Sequence, residues 1–324
     1  MKYTKFIFAL MAAPALLLAS CSEYEDKEIG SEVYSNDAVR FAGCDGDTIV
    51  TEVEPGVTTF TINVVRDSEQ AAEYALTVLG NEGDAISVPA TVPFAEGQKE
   101  TKVTVTISSN AEVGKPYKFT LSLDEANMNP YKEEYSIYYG KVSIVKWNNL
   151  GKGQFLDTFT FATVDEEGNL LDMAAVEVDI IQRDDKPEMY RIQSPYSAAV
   201  LDRFEWTGWY GAISTAPIEL TLEKDGDATY VVWKYWGTNL NYQGNAANPI
   251  LACNQRAFGE EEDKKQTVVY AEDGKTVLYF DLKPEFYVNG LGSSGPASVF
   301  IAMPGFDLAG IMQVPVCGLD GVDK

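Results

Sequence analysis

Three segments in the first half of this chain carry apolar residues at every second position: Thr58–Val65 (TTFTINVV), Thr101–Ile107 (TKVTVTI) and Lys118–Leu123 (KFTLSL). Alternation at period two sets one side of a strand against a core and leaves Thr, Ser or Lys on the other, so each segment predicts a half-buried β-strand. Turn formers separate them, at Glu54-Pro55-Gly56, Asn81-Glu82-Gly83 and Val113-Gly114-Lys115-Pro116. Strands and turns at this spacing across residues 38–146 predict an immunoglobulin-like β-sandwich.

Trp147-Asn148-Asn149-Leu150-Gly151-Lys152-Gly153 changes the texture, and a second region is expected over 147–324, which holds all five tryptophans. It contains two hairpin signals, Ile218–Trp236 turning at Asp225-Gly226 and Thr267–Phe280 turning at Asp273-Gly274. Neither region shows a long amphipathic helix, so the fold class is all-β, with the second region a larger sandwich or jelly roll. A chain of 324 residues, 45% hydrophobic and 12% aromatic, has enough apolar material for two such cores.

Charge and composition exclude whole classes of function. Asp and Glu number 49 against 25 Lys and Arg, a formal net charge of −24. So acidic a surface repels phosphate backbones, and no nucleic-acid partner is expected. Histidine is absent. That removes Ser-His-Asp and Cys-His nucleophile pairs, imidazole bases and most zinc sites, so no enzyme, metal or cofactor is expected.

The first residues read as an address. Lys2 and Lys5 precede an apolar run, Phe6–Leu18, too short to span a bilayer, and Leu18-Ala19-Ser20-Cys21 follows. These residues resemble a lipoprotein signal with its lipobox, which implies removal of 1–20, acylation of Cys21 and anchoring in an outer membrane; the alternative is an ordinary signal peptide. Residues 21–37 then form an acidic tether (SEYEDKE at its start), similar to the surface-export signal of Bacteroidetes lipoproteins, or a solvated spacer. Several acyl chains on one cysteine would hold the protein almost permanently.

Within the first region, VPFAEGQKETKVTVTI (Val92–Ile107) and YKFTLSLDEA (Tyr117–Ala126) resemble the second half of a Calx-beta domain, though without the acidic end loops of its calcium-binding members. GQFLDTF (Gly153–Phe159) with MYRIQSPY (Met189–Tyr196) is similar to a pattern in Bacteroidetes lipoproteins without an assigned activity. The order of parts resembles accessory lipoproteins of that phylum, including those of glycan-utilisation loci. This resemblance implies the address and the architecture; the function expected, on the aromatic residues taken up below, is that of a non-catalytic glycan-binding protein of the cell surface, the alternative being a structural or adhesive lipoprotein that meets another envelope protein.

Other motifs carry less. GLGSSG (Gly290–Gly295) has the letters of a dinucleotide fingerprint but leads into strand-like SVFIAM, so it reads as a glycine-rich turn. Asp225-Gly226-Asp227, Asp184-Asp185 and Glu260–Lys265 (EEEDKK) read as turns or solvated loops. Asp47-Thr48-Ile49 resembles a Bacteroidetes O-glycosylation acceptor, which marks Thr48. Beyond Cys21, Cys44 is expected as a buried thiol and Cys253 with Cys317 as a possible pair.

Two aromatic stretches remain, RFEWTGWYG (Arg203–Gly211) and VVWKYWG (Val231–Gly237). If Tyr230–Trp236 is one strand, Trp233 shares a face with Val231, and Trp236 shares the wetter face with Lys234. Phe204 and Trp206 keep strand parity and are expected inside; Gly208 and Gly211 flank Trp209 and Tyr210, which suggests a bulge or loop. Trp209, Tyr210 and Trp236, with Tyr242 from the polar loop Gly237–Asn245, are the expected ligand platform, suited to the apolar face and hydroxyl edge of a sugar.

Overall fold

The computed structural model describes residues 37–128, 133–211, 213–254 and 267–324. The expected signal peptide 1–20, Cys21, the tether as far as residue 36 and the loop Glu260–Lys265 lie outside the described residues. The chain divides into two compact units between Ser143 and Ile144. With 51% strand and 8% helix, the protein is all-β.

Nine strands are described in chain order up to this division: β1 (Arg40–Phe41), β2 (Ile49–Val53), β3 (Thr59–Val65), β4 (Ala72–Asn81), β5 (Ile86–Ser87), β6 (Thr91–Phe94), β7 (Glu100–Ile107), β8 (Pro116–Leu123) and β9 (Ile137–Ile144). They form a sheet ordered β1-β3-β7-β5 and a second ordered β2-β9-β8-β4-β6. The alternating segments supply the core between them. Ile62, Val64, Val103, Val105, Phe119 and Leu121 are buried, while Thr61, Asn63, Lys102, Thr104 and Lys118 face solvent, as a two-sheet sandwich requires. One charge enters this core. Arg66 donates Nη1 to Tyr74 Oη at 3.0 Å, Nε to the Gln98 carbonyl at 3.1 Å and Nη2 to the Ala95 carbonyl at 3.2 Å, and its guanidinium lies 4.5 Å from the Phe94 ring centre. With its donors engaged and an aromatic face beneath it, the buried cation has partners in place of water.

The second unit continues with β10 (Trp147–Asp157), β11 (Ala162–Val164), β12 (Leu170–Met173), β13 (Ala175–Arg183), β14 (Met189–Ile192), β15 (Ile218–Asp225), β16 (Ala228–Val232) and β17 (Tyr235–Asn241). Then come β18 (Pro249–Cys253), β19 (Thr267–Tyr270), β20 (Val277–Leu282), β21 (Glu285–Val288), β22 (Gly292–Pro296), β23 (Val299–Ala302) and β24 (Val316–Cys317). Eight of these strands pair in the order β10, β13, β14, β15, β16, β19, β20, β23, each antiparallel to the next, and β23 pairs back onto β10. The ring is closed, an arrangement that removes sheet edges.

Period-two alternation fills this ring. Phe155, Val176, Val178, Ile180, Ile218, Leu220, Phe280, Leu282, Val299 and Ile301 belong to one buried cluster, whereas Leu156, Ala175 and Ala302 form another with Leu308 of the short helix Leu308–Met312. Where β10 lies between β13 and β23 there is no room for a side chain. A Cβ on Gly153 would stand 2.3 Å from the Ala302 carbonyl oxygen and 2.4 Å from Ile180 Cδ1. The four remaining long-sheet strands, ordered β17-β18-β21-β22, form a second sheet whose Trp236, Leu240, Ile250, Ala252, Phe286 and Val288 join the cluster inside the ring.

Both expected hairpins form. Asp225 pairs with Ala228 across the first turn, and Asp273 Oδ1 accepts the backbone N–H groups of Lys275 and Thr276, both at 2.8 Å, in the second. Of GLGSSG only Gly290, at φ +78°, and Leu291 lie in a turn; Gly292–Gly295 belong to strand β22, so the expected glycine-rich turn is mostly strand. No helix follows it directly, so the dinucleotide geometry is missing.

Two further expectations are corrected. Tyr230–Trp236 is not one strand: β16 ends at Val232, Lys234 sits at a bend, and Tyr235 begins β17 in the other sheet. The bend resets the parity. Trp233 and Trp236 both turn inward, each 5% exposed, with ring centroids 5.2 Å apart. Trp236 is therefore a core residue and no part of a surface platform, and the exposed ring is Tyr235, at 54%. Cys253 and Cys317 do not pair. Both are buried free thiols, as is Cys44, and they lie in different sheets, on β18 and β24.

Candidate functional site

Between β14 and β15 the sequence SAAVLDR forms a short helix, Ala198–Arg203. Ser197 starts it by accepting the Val200 N–H at 3.2 Å, and Val200, Leu201 and Phe204 anchor it in the core. The chain then turns twice. Glu205 adopts φ +63° and Gly208 φ +85°, and Trp209 N–H donates to the Trp206 carbonyl at 2.9 Å. RFEWTGWYG is therefore a helix end followed by tight turns, where strand parity does not apply. Phe204 is buried as expected, but Trp206 is only half-buried.

This turn is fastened to the second sheet. Asn241 N–H donates to the Trp209 carbonyl at 2.6 Å, and Tyr210 bridges to Leu240. The turn Tyr242–Gly244 lies so close that a Cβ on Gly244, at φ +72°, would stand 2.6 Å from the Gly208 carbonyl oxygen. Of the six non-glycine residues with positive φ among the described residues, three, Glu205, Asn239 and Gln243, lie in these two connected segments. Such conformations persist only where the surroundings hold them, and they concentrate at sites that must present side chains in a set geometry.

A run of rings leads from the core to the surface here. Phe286, fully buried, stacks on Phe159 at 4.4 Å and 16°. Phe159 stacks on Trp206 at 6.2 Å, Trp206 meets Trp209 edge-on at 5.3 Å, and Trp209 meets Tyr242 edge-on at 5.5 Å. Trp206 Nε1 is committed to the Thr160 carbonyl at 2.8 Å. By contrast, Trp209 Nε1 and Tyr242 Oη have no hydrogen-bond partner among the described residues. Trp206, Trp209, Tyr210 and Tyr242 are each half-buried, so they offer ring surface without being loose.

Asp202 stands at the rim. Its Oδ1 accepts the Tyr210 hydroxyl at 2.6 Å and the Thr207 hydroxyl at 2.9 Å, and this bond holds the Tyr210 phenol above its ordinary pKa. The adjacent Arg203 is turned away, paired with Asp172 of β12 at 3.1 Å and with Asp323.

The structure thus brings together three of the four expected platform residues, Trp209, Tyr210 and Tyr242, and excludes Trp236. Trp206, Phe159 and Asp202 complete the group and were not legible as members, because their approach depends on a helix and turns that lack period-two alternation. Ser197 ahead of an Ala-rich run was the available sign of that helix. Elsewhere, Thr48 is exposed immediately before β2. Among the described residues no three His, Cys, Asp or Glu side chains are grouped as a metal ion would need.

The second unit is thus a closed β-ring with an attached sheet and a half-buried aromatic surface where helix end and sheet meet. Comparison with known proteins finds no matching family model and no matching curated relative. Solved structures similar to parts of the chain include a protein of unknown function from Bacteroides ovatus, 10% identical, covering 82% of this chain and 89% of that one with a TM-score of 0.28. A multidomain protein including DUF1735 from the same organism is 9% identical, with coverages of 82% and 92% and a TM-score of 0.28. CBD12 from CALX1.2 is 11% identical, covering 52% of this chain and 86% of that one, with a TM-score of 0.25. At these TM-scores the likenesses carry no weight beyond themselves, and the fold assignment stands on the strand pairing.

Proposed function

We propose that this chain is a non-catalytic lipoprotein of the outer membrane, held at the cell surface by acylated Cys21, and that its second unit binds glycan through Trp206, Trp209, Tyr210 and Tyr242. The first unit, the sandwich, acts as a spacer. The observation that carries the reading is the Trp206–Trp209–Tyr242 run: half-exposed rings fixed by the core, with the indole N–H of Trp209 and the hydroxyl of Tyr242 unengaged among the described residues. A sugar presents an apolar C–H face to such rings and hydroxyls to such polar tips, and the fixed geometry lowers the ordering cost of binding. The lack of histidine supports a binding role over a catalytic one.

The test is a glycan array probed with the mature protein beside Trp209→Ala. Binding by wild type that the substitution removes is expected; folded wild type that binds no glycan overturns the reading. A structural or adhesive role without a small ligand is favoured by two observations, the burial of Trp236 and the exposure of Val164, Leu170 and Leu171 on the β11–β12 hairpin. That role predicts a silent array and capture of an envelope protein that is lost when Leu170 and Leu171 become Ser.

A further inference from the structure

The charges on the two segments that build the outer end of the aromatic run are one-sided. The two segments that build it, residues 196–211 and 237–248, contain two acids, Asp202 and Glu205, and a single base, Arg203. Asp202 and Glu205 are exposed. Arg203 is only 16% exposed at its side chain and is held by two carboxylates, Asp172 and Asp323. Its guanidinium also reaches the Gly321 carbonyl. Its charge is therefore already paired. The Asp202 carboxylate touches the platform itself, through Tyr210 at 2.6 Å.

A carboxylate at the rim accepts hydrogen bonds from sugar hydroxyls well, because a charged acceptor makes the stronger bond. The same charge repels an anionic sugar. A uronate or sulfate group on the rings would meet Asp202, with no free base in either segment to compensate it. The remainder of the molecule adds to this, since the net charge of the chain is −24.

Resting on the glycan-binding reading, we infer that this site selects neutral glycans and rejects uronate-bearing ones, with Asp202 as the specificity-determining residue. It orients hydroxyls on neutral sugars and discriminates by charge. Even with the full dielectric of water between them, a like charge about 4 Å away corresponds to roughly a sixfold loss of affinity, and at the lower effective dielectric of a protein surface to a larger one.

The experiment measures binding of the mature protein to xyloglucan, β-glucan and α-mannan against polygalacturonate and alginate, by affinity electrophoresis and calorimetry at low and high salt. Wild type, Asp202→Asn and Trp209→Ala are compared. Asparagine keeps an acceptor oxygen for Tyr210 and Thr207 while removing the charge, so the turn retains its bonds. The expected result is binding to at least one neutral polysaccharide, uronate binding at least about tenfold weaker, and a rise in uronate binding in Asp202→Asn at both salt concentrations. Wild type that binds a uronate polymer as well as a neutral one overturns the inference and leaves the glycan reading intact. Uronate rejection unchanged in Asp202→Asn overturns it too, because the discrimination would then belong to the net charge. Binding to none of the five ends the glycan reading and the inference together.

Discussion

Trp236 donates its indole N–H to the hydroxyl of Tyr196 at 3.0 Å, joining the first strand of the second sheet to the connection after β14 deep inside the second unit. Tyr196 passes the bond on, donating to Asp157 Oδ2 at 2.8 Å. Asp157 also accepts the N–H groups of Phe159 and Thr160, at 2.8 and 3.1 Å. All three side chains are in the core, and the last strand residue of β10 is thereby tied to the turn that carries Phe159 into the aromatic run.

Tyr196→Phe removes the middle of this chain while conserving the ring. Two buried groups lose a partner, the Trp236 N–H and the Asp157 carboxylate, so a destabilisation of about 2–3 kcal/mol is expected in urea unfolding. A change below about 0.5 kcal/mol would mean that the chain does not form.

Burial holds the Asp157 carboxyl above its ordinary pKa, its hydrogen bonds opposing the shift only in part. A raised folded-state pKa means that the native state binds the proton more tightly than the unfolded chain does. Its stabilising contribution is full below the unfolded value, about pH 3.9, and is lost as pH rises through the folded one. Asp157→Asn abolishes that dependence. The stability of wild type relative to Asp157→Asn should therefore fall from about pH 4 upward, and a difference that stays level to pH 8 would refute the assignment.

Trp236→Ala and Trp209→Ala should part company. The first leaves a cavity among Phe155, Trp233 and Tyr196 and is expected to cost about 3–5 kcal/mol. The second truncates a half-exposed ring, costs less, and removes glycan binding while the circular dichroism spectrum is retained. Equal losses of stability would show Trp209 to be core as well.

Cys44, Cys253 and Cys317 should resist thiol reagents in the folded protein and react together on unfolding. Burial raises all three thiols, that of Cys44 to about 11 with Asp45 adding to the effect, which suppresses the reactive thiolate. Mass spectrometry without reductant should find no bond between Cys253 and Cys317.

The alternating segments determined, without any structure, that β3, β7 and β8 are strands with one dry face, and the Asp-Gly pairs located both hairpin turns. These are local properties: side-chain direction in a strand has period two, and a tight turn needs residues that accept its backbone angles. The same reasoning failed at Trp236, because one bend at Lys234 between two sheets inverts the facing of the residues that follow it in β17. The closing pair β23–β10 joins residues some 150 positions apart, and no local pattern encodes such a distance. The meeting of Asp202, Trp206, Trp209 and Tyr242 depends likewise on a helix end and a turn packed together through Gly208 and Gly244. The sequence alone determined which side chains were rings and acids; tertiary packing decided which of them share a surface, because that choice rests on non-local contacts.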